Sequence, residues 1–163
     1  MGCDVTRELY EGFALQAVDE KGRVAIPSDL RLALDKNSAA KTVLISKHSK
    51  DPCLSVRDPE WSRVKHDRID RRQEAALDEG REIDSGARRR VSLVEKAAYD
   101  ASGRFVLPPF YRQKAKIGKW AFFVGSGDEF EIWAPEVLLA TPDIDEELRE
   151  ICEFLCEQRG VQL

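Results

Sequence analysis

A five-residue pattern occurs twice in the chain, and this repetition limits the folds that the sequence can adopt. Residues 19–23 read DEKGR and residues 100–104 read DASGR, at an offset of 81 positions. The flanking segments share the same apolar pattern, and a proline follows each short apolar run. The identical pairs are Asp19 and Asp100, Gly22 and Gly103, Arg23 and Arg104, Pro27 and Pro108, and Arg31 and Arg112. Five identities at one offset predict a duplicated structural unit.

A second match lies further along each copy. Residues 54–61 (LSVRDPEW) align with residues 130–137 (FEIWAPEV) at an offset of 76, so the first copy carries five additional residues. We expect these in a hairpin at residues 46–52 (SKHSKDP). Each unit supplies about four short strands, which are too few to bury both faces alone. We therefore predict that the two units pair or interleave into one closed β core.

The segments outside the repeats are predicted to be helical. The predicted division is a first unit over residues 10–61, a helical linker over 62–92, a second unit over 93–140 and an amphipathic C-terminal helix over 141–163. The C-terminal helix should begin near Pro142, and its apolar stripe requires a packing partner. The sequence leaves two partners open for this stripe, which are the core of the chain itself and a neighbouring subunit.

The cysteines give little indication of a metal site. The chain has Cys3, Cys53, Cys152 and Cys156, a scattered set typical of reduced thiols in a cytosolic protein. Cys152 and Cys156 are four residues apart on a predicted helix, which would suit one face of a metal site. However, no histidine or further cysteine lies near them in sequence. We expect both to be packing residues, and we expect no metal and no cofactor.

The charge distribution is compatible with a nucleic-acid partner. The formal net charge is −4, but residues 141–163 contribute −5, so residues 1–140 carry +1. Residues 71–72 and 88–90 are arginine clusters within this larger part. The global charge therefore does not exclude DNA, and the local geometry must decide.

Membrane, secretion and enzyme motifs are missing from the sequence. No run of 18 apolar residues occurs, and the first 12 residues lack the apolar region of a secretory signal. We expect a cytoplasmic protein without a membrane span. A Walker A sequence, an HExxH motif and a nucleophile elbow are also absent. We therefore expect neither an enzyme nor a small-molecule substrate.

The repeated turn has a purely structural interpretation. Gly22 and Gly103 would supply the positive φ angle that a tight hairpin needs. Asp19 and Asp100 would accept backbone N–H bonds at the start of each turn. The arginine that follows each glycine lies within reach of the aspartate. These residues alone favour a hairpin that is closed by an Asp–Arg pair.

The same turn also has a DNA-binding interpretation. Lys21 and Arg23 are two residues apart and would share one side of a ribbon with regular register. A two-stranded ribbon fits the major groove of B-DNA, where arginine can bond guanine through two N–H groups. Asp19 would then fix the direction of the arginine. The second copy keeps Arg104 but has Ser102 in place of the lysine, so its turn is less basic.

The complete set of motifs resembles the MraZ family. The resemblance is carried by GFALQAVDEKGRVAIPSDLR (12–31), PEW (59–61), DASGRFVLP (100–108) and VGSGDEFEIW (124–133), and it covers roughly residues 10–140. It implies an α+β fold of two tandem swapped-hairpin units similar to AbrB. In this fold the units form one pseudo-two-fold β-barrel core with flanking helices.

The resemblance also implies a function. It suggests a transcriptional regulator, typically a repressor, of the bacterial division and cell-wall gene cluster. Such proteins bind direct repeats in double-stranded promoter DNA as ring-shaped homo-oligomers, which would place this one at the nucleoid. By resemblance, Arg23 matches a DNA-contacting arginine, Lys21 the adjacent basic position, and Arg104 and Ser102 their counterparts. Ser102 argues against equal contributions from the two copies. The alternative is a swapped-hairpin module that binds protein, similar to an antitoxin.

Overall fold

The computed structural model describes residues 6–163, and Cys3 lies outside them. Eight strands and six helices alternate in a mixed α+β order, which confirms the predicted class. The strands are β1 (Phe13–Ala17), β2 (Arg23–Ala25), β3 (Thr42–Lys47), β4 (Leu54–Arg57), β5 (Glu95–Ala98), β6 (Arg104–Val106), β7 (Trp120–Gly125) and β8 (Phe130–Trp133). The helices are α1 (Ser28–Asn37), α2 (Pro59–Asp78), α3 (Ala87–Ser92), α4 (Pro109–Lys114), α5 (Pro135–Ala140) and α6 (Glu146–Gln158).

The strands form two antiparallel sheets with an internal symmetry. Six strands pair in the order β1-β7-β8-β4-β3-β5, and β2 pairs with β6 in a separate ribbon. The six-strand order reads the same backwards when each strand is replaced by its counterpart in the other copy. Closure of these two sheets into one barrel stays a prediction, as does the four-part division of the chain.

The pairing crosses between the two copies at both ends of the large sheet. β1 pairs with β7 of the second copy, and β5 pairs with β3 of the first copy. Neither copy's first strand therefore lies beside a strand of its own unit in this sheet. Because both copies contribute to one hydrogen-bond ladder, neither can complete its sheet alone.

The five additional residues of the first copy are divided between two places. The offset between equivalent positions falls from 81 at the turns to 78 in β3 and β7, and to 76 in β4 and β8. Three of the residues thus lie between the turn and β3, where α1 is longer than α4. Only two lie in the β3–β4 hairpin. Placing all five in that hairpin was wrong, because sequence alignment alone could not divide the gap.

The C-terminal helix packs on the chain's own sheet. Cys152 and Cys156 of α6 are buried in a cluster with Leu15, Phe122 and Trp133. Burial raises the pKa of the Cys152 thiol to about 12, in keeping with a packing role. The helix begins at Glu146 rather than near Pro142 because Asp143 has a left-handed φ of 59°. Phe154 points away from this cluster and is exposed.

The long helix α2 begins where the sequence predicts it. The Asp58 carboxylate accepts the Trp61 amide at 2.8 Å, and Pro59 occupies the first helical position. The helix continues to Asp78, so the charged segment after residue 70 is largely helical. Within residues 6–163, none of the helices has both the length and the apolar character needed to cross a bilayer.

Candidate nucleic-acid interface

The first turn is closed by one aspartate. Asp19 Oδ1 accepts the amides of Lys21 and Arg23, both at 2.9 Å, and its carbonyl accepts the Gly22 amide at 3.0 Å. Asp19 Oδ2 accepts Nε of Arg23 at 2.7 Å. One carboxylate therefore fixes both the backbone of the turn and the direction of the arginine, as both interpretations of the sequence require.

The second turn repeats this geometry. Asp100 Oδ1 accepts the amides of Ser102 and Arg104, again at 2.9 Å, and the Asp100 carbonyl accepts the Gly103 amide at 2.9 Å. The bond from Arg104 Nε to Asp100 Oδ2 is longer, at 3.2 Å. The arginine of the second turn is held in the same way but less closely.

Both turn carboxylates remain ionised at neutral pH. The pKa of Asp19 is lowered, first by the backbone amide of Arg23 and then by its guanidinium. The pKa of Asp100 is lowered by the equivalent amide of Arg104. Hydrogen bonds to the charged form favour that form, so each arginine keeps its negative partner.

The two arginines lie on one exposed face of the β2–β6 ribbon. Arg23 is opposite Val106, and Arg104 is opposite Ala25. Because side chains alternate along a strand, these four residues share one face, while Val24 and Phe105 lie on the buried face. The arginine side chains are 55% and 64% exposed. The ribbon thus places the two arginines at diagonal corners of one surface.

Lys21 and Ser102 lie in the turns and outside the paired strands. β2 begins at Arg23 and β6 begins at Arg104, so the ribbon register does not extend to either residue. The alternation rule used to place Lys21 beside Arg23 therefore does not apply at that position. Lys21 is exposed next to the ribbon, and the hydrogen bond from its backbone amide to the Asp19 carboxylate fixes its backbone.

Each turn is held by the opposite copy. The Leu107 amide donates to the Gly22 carbonyl, and the Ile26 amide donates to the Gly103 carbonyl, both at 2.9 Å. Gly22 and Gly103 have φ angles of 82° and 80°, which glycine adopts without strain. The predicted roles of both glycines agree with these angles.

Sequence reasoning missed two further arginines at this surface. Each arginine packs closely against a turn glycine. A Cβ added at Gly22 would lie 3.1 Å from Arg112 Nη1, and a Cβ added at Gly103 would lie 2.9 Å from Arg31 Cδ. Arg31 also donates to the Ala101 carbonyl at 3.4 Å. Both were visible as an identical pair at the 81-residue offset. Their contact with the turn of the other copy depends on the crossed pairing, which the pattern did not reveal.

We predict that Gly103→Ala destabilises the protein more than Gly80→Ala. Both glycines have positive φ, but a Cβ at Gly103 would meet Arg31 Cδ at 2.9 Å and the Ile26 carbonyl at 3.3 Å. A Cβ at Gly80 would meet no atom within 4 Å. We expect Gly103→Ala to cost about 2–3 kcal/mol and Gly80→Ala about 1 kcal/mol in urea unfolding. Equal losses of unfolding free energy in the two variants would show that Arg31 and the Ile26 carbonyl move away from the added Cβ without cost.

One candidate metal cluster occurs among residues 6–163, and it does not fit a metal ion. His48, Cys53 and Glu131 bring their ligand atoms within 4.8 Å of one another. His48 Nδ1 accepts the amides of Lys50 and Asp51, so the ring proton resides on Nε2, which lies 3.3 Å from Glu131. Neither nitrogen of a neutral ring then offers a free lone pair. Burial also raises the pKa of Cys53, which disfavours a thiolate ligand.

Comparison with known proteins identifies the family. A family model described as "MraZ protein, putative antitoxin-like" matches residues 95–137. "Transcriptional regulator MraZ" of Pseudomonas aeruginosa (strain LESB58) is 31% identical over 142 residues, with 84% of this chain and 87% of that protein covered. The chain belongs to the MraZ family. The protein of the same name from Azotobacter vinelandii is 29% identical over the same coverage, and that from Thioalkalivibrio sulfidiphilus is 31% identical over 140 residues.

Membership of the MraZ family confirms the predicted resemblance. It also places the chain among transcriptional regulators rather than enzymes, as the missing catalytic motifs indicated. The family model covers the second copy, whereas the whole-chain relatives extend over both. The second turn lies within residues 95–137, which the family model matches.

Proposed function

We propose that this MraZ protein is a sequence-specific DNA-binding repressor of the division and cell-wall gene cluster, acting from the cytoplasm at the nucleoid. It would bind direct repeats in promoter DNA as a ring-shaped homo-oligomer. The observation that carries the proposal is the pair of aspartate-braced arginines, Arg23 and Arg104, on one exposed ribbon face. A two-stranded ribbon is an established shape for reading the major groove.

The bracing would prepare each arginine for DNA. Within the Arg23 guanidinium only Nε is bonded to Asp19, and the two terminal amino groups have no acceptor among residues 6–163. These groups can bond O6 and N7 of one guanine, or a phosphate, without first leaving another partner. Because the side chain is already held in one direction, less conformational entropy is lost on binding. Lys21 would add a phosphate contact beside the first turn.

The two ribbon ends would contribute unequally. Ser102 stands where the first turn has Lys21, and the Arg104–Asp100 bond is longer than the Arg23–Asp19 bond. We therefore assign the larger share of DNA affinity to Arg23. Arg31 and Arg112 lie beside the turns and would add positive potential at the same surface.

An oligomer would compensate for the small contact area of one ribbon. A single turn reaches few phosphates, but several identical turns on one ring bind linked repeats with an effective concentration gain of roughly 10²–10⁴-fold. The acidic C-terminal segment would limit indiscriminate binding elsewhere on the surface. We further propose that the two sheets close into one swapped-hairpin barrel, from units over residues 10–61 and 93–140. The symmetric strand order supports this.

The repeat-reading proposal predicts a dependence on helical phase. We expect a duplex with two direct repeats from the protein's own division-cluster promoter to bind roughly 10²–10⁴-fold more tightly than a single repeat. Adding 5 base pairs between repeats should remove this gain and adding 10 should restore it, because one helical turn is about 10–10.5 base pairs. Gel-shift titrations would measure these affinities, with analytical ultracentrifugation for the mass of the assembly.

Salt provides the matching control for this prediction. Binding through arginine and phosphate contacts should weaken between 50 mM and 200 mM salt. The slope of log K against the logarithm of the salt concentration should be about −0.9 for each phosphate contact. Affinity that is indifferent to salt and to repeat spacing would contradict the proposal. It would favour the second candidate function, a protein-binding module, which the "antitoxin-like" description of the family model suggests.

A further inference from the structure

A large cavity is lined by none of the four residues on the ribbon's exposed face. It has a volume of about 840 Å³, within the range of ligand-binding cavities, and it lies between the β3–β4 hairpin, the start of α2, and α4. Arg57, at the end of β4, lines this cavity although it is only 3% exposed. Arginine is almost never buried this far without a negative partner, so the residue requires an explanation.

Arg57 has no negative partner within residues 6–163. Its Nη2 donates to the Val91 carbonyl at 2.6 Å, but its Nε is fully buried and has no acceptor. The nearby Glu129 is already bonded by Ser55 Oγ, Trp61 Nε1 and Lys65 Nζ at 2.7, 3.1 and 2.8 Å. Glu129 therefore favours the charged form of Arg57 only from a distance and is shared with Lys65, so the positive charge of Arg57 is only partly compensated.

The fold itself does not demand an arginine at this position. The equivalent residue of the second copy is Trp133, since Leu44 pairs with Arg57 as Phe122 pairs with Trp133. Trp133 is fully buried and its indole N–H is bonded to Glu131 at 2.9 Å. An apolar ring thus fills the position where only packing is needed. Arg57 places a costly buried charge at the corresponding position, beside a cavity.

The charged side chains that line the cavity have a positive excess, with Lys47, Arg57, Lys65, Arg90 and Lys114 against Asp128, Glu129 and Glu131. Burial and the charges of Arg88, Arg57 and Arg63 lower the pKa of His66, whose Nδ1 is buried without a partner. Lys114 and Lys47 stand exposed at the rim of the cavity. A bound anion would therefore relieve an unbalanced positive potential at this site.

Part of the cavity wall is apolar, beside polar lining residues such as Ser46, Ser55 and Ser126. Phe110 and Leu93 belong to this apolar part and are 60% and 59% exposed. Trp61 and Tyr111 add aromatic surface. An apolar wall that faces a buried cation is the arrangement expected for a ligand with a ring or short chain at one end and an acidic group at the other.

We propose that this cavity binds a small organic anion, with its carboxylate or phosphate on Arg57 and its apolar part against Phe110 and Leu93. The anion would accept from Nη1 of Arg57, which has no protein acceptor among residues 6–163 and, unlike Nε, is not fully buried, while Lys114 adds charge at the rim. This site is independent of the DNA-binding proposal, because it uses neither turn.

The test uses a fluorescent aromatic sulfonate, 8-anilinonaphthalene-1-sulfonate, and the uncharged N-phenyl-1-naphthylamine as its matched probe. Both are titrated into the full chain without DNA. We expect saturable binding of the sulfonate and at least tenfold weaker binding to Arg57→Leu, because one charge-assisted pair is lost. The uncharged probe should bind both proteins equally. Phe110→Ala should weaken both probes, whereas Phe154→Ala, a similarly exposed phenylalanine on α6, should weaken neither.

Three outcomes would overturn the proposal. The first is sulfonate affinity that is unchanged in Arg57→Leu when circular dichroism shows that this variant is folded. The second outcome applies if Arg57→Leu does not fold. It is an unchanged sulfonate affinity in both Phe110→Ala and Lys114→Ala, which replace exposed residues of the cavity. The third is a change of assembly mass in Arg57→Leu or Phe110→Ala without loss of sulfonate affinity, which would assign the cavity to a second copy of the chain.

Discussion

Replacing Arg23 with alanine is expected to reduce affinity for promoter DNA by about 1–3 kcal/mol for each ribbon in contact, or roughly 5- to 150-fold per contact. The loss multiplies when several ribbons of one ring engage successive repeats. It has two sources, because the variant removes the cation and leaves the Asp19 carboxylate facing the phosphates without a partner. Fluorescence anisotropy with labelled two-repeat DNA would measure it.

A matched control is available on the same chain. Arg81 pairs with Glu79 at 2.7 Å and is 59% exposed, which closely resembles the pairing and exposure of Arg23. Arg81→Ala should leave DNA affinity unchanged if the ribbon is the interface. Arg104→Ala should have a smaller effect than Arg23→Ala. Wild-type affinity in Arg23→Ala would refute the assignment of the interface to this ribbon.

Replacing Asp58 with alanine is expected to lower the free energy of unfolding by about 3–5 kcal/mol, the usual cost of breaking a buried ion pair. Asp58 is fully buried and accepts the Tyr10 hydroxyl at 2.6 Å, Arg7 Nη2 at 2.7 Å and the Trp61 amide at 2.8 Å. One carboxylate thereby ties the N-terminal segment to the start of α2. Urea unfolding followed by circular dichroism would measure the loss.

Asp70→Asn is the control for this variant. Asp70 also pairs with an arginine, Arg88 at 3.3 Å, but it is 43% exposed, so its loss should cost less than about 1 kcal/mol. A loss below 1 kcal/mol for Asp58→Ala would show that the three hydrogen bonds do not offset the cost of burying this charge. The loss of unfolding free energy in Asp58→Asn should lie between those of Asp58→Ala and Asp70→Asn, because asparagine can still cap α2.

Asp58 also predicts a dependence of stability on pH. Burial raises its pKa, but the bonds from Arg7, Tyr10 and the Trp61 amide outweigh burial, and the pKa is lowered overall. A lowered folded-state pKa means that the unfolded chain binds the proton more readily. The stabilisation is therefore present above the unfolded pKa of about 3.9 and is lost as pH falls through the folded value. In Asp58→Asn the unfolding free energy should therefore fall less steeply as the pH is lowered through this range.

The local features of the fold and the site could be predicted from the sequence. The Asp–Gly–Arg turns, the Asp58 cap and the apolar stripe of α6 depend on residues within a few positions of one another. Such patterns are set by backbone preference and periodicity, which are visible in any single sequence. This is also why the two aspartates and glycines have the geometry that the turn requires.

The long-range features could not be predicted in the same way. Nothing local indicates that β1 pairs with β7, or that Arg23 and Arg104 lie on one face of one ribbon. Arg31 and Arg112 appeared only as repeated residues until the crossed pairing brought each to the opposite turn. Arg57 is the last residue of β4, and its burial depends on a helix and a hairpin from elsewhere in the chain. These properties follow from tertiary contacts that periodicity does not encode.

The crossed pairing has a consequence for the synthesis of the protein. Phe13 of β1 pairs with Val124 of β7, so the partner of the first strand is made 111 residues later. At a translation rate of about 5–20 residues per second, roughly 5–20 s pass between the synthesis of β1 and that of its partner strand. During that time the nascent first half presents unpaired strand edges, which are prone to aggregation. Cooperative folding therefore begins only after most of the chain has emerged, and nascent chains close to one another could exchange halves.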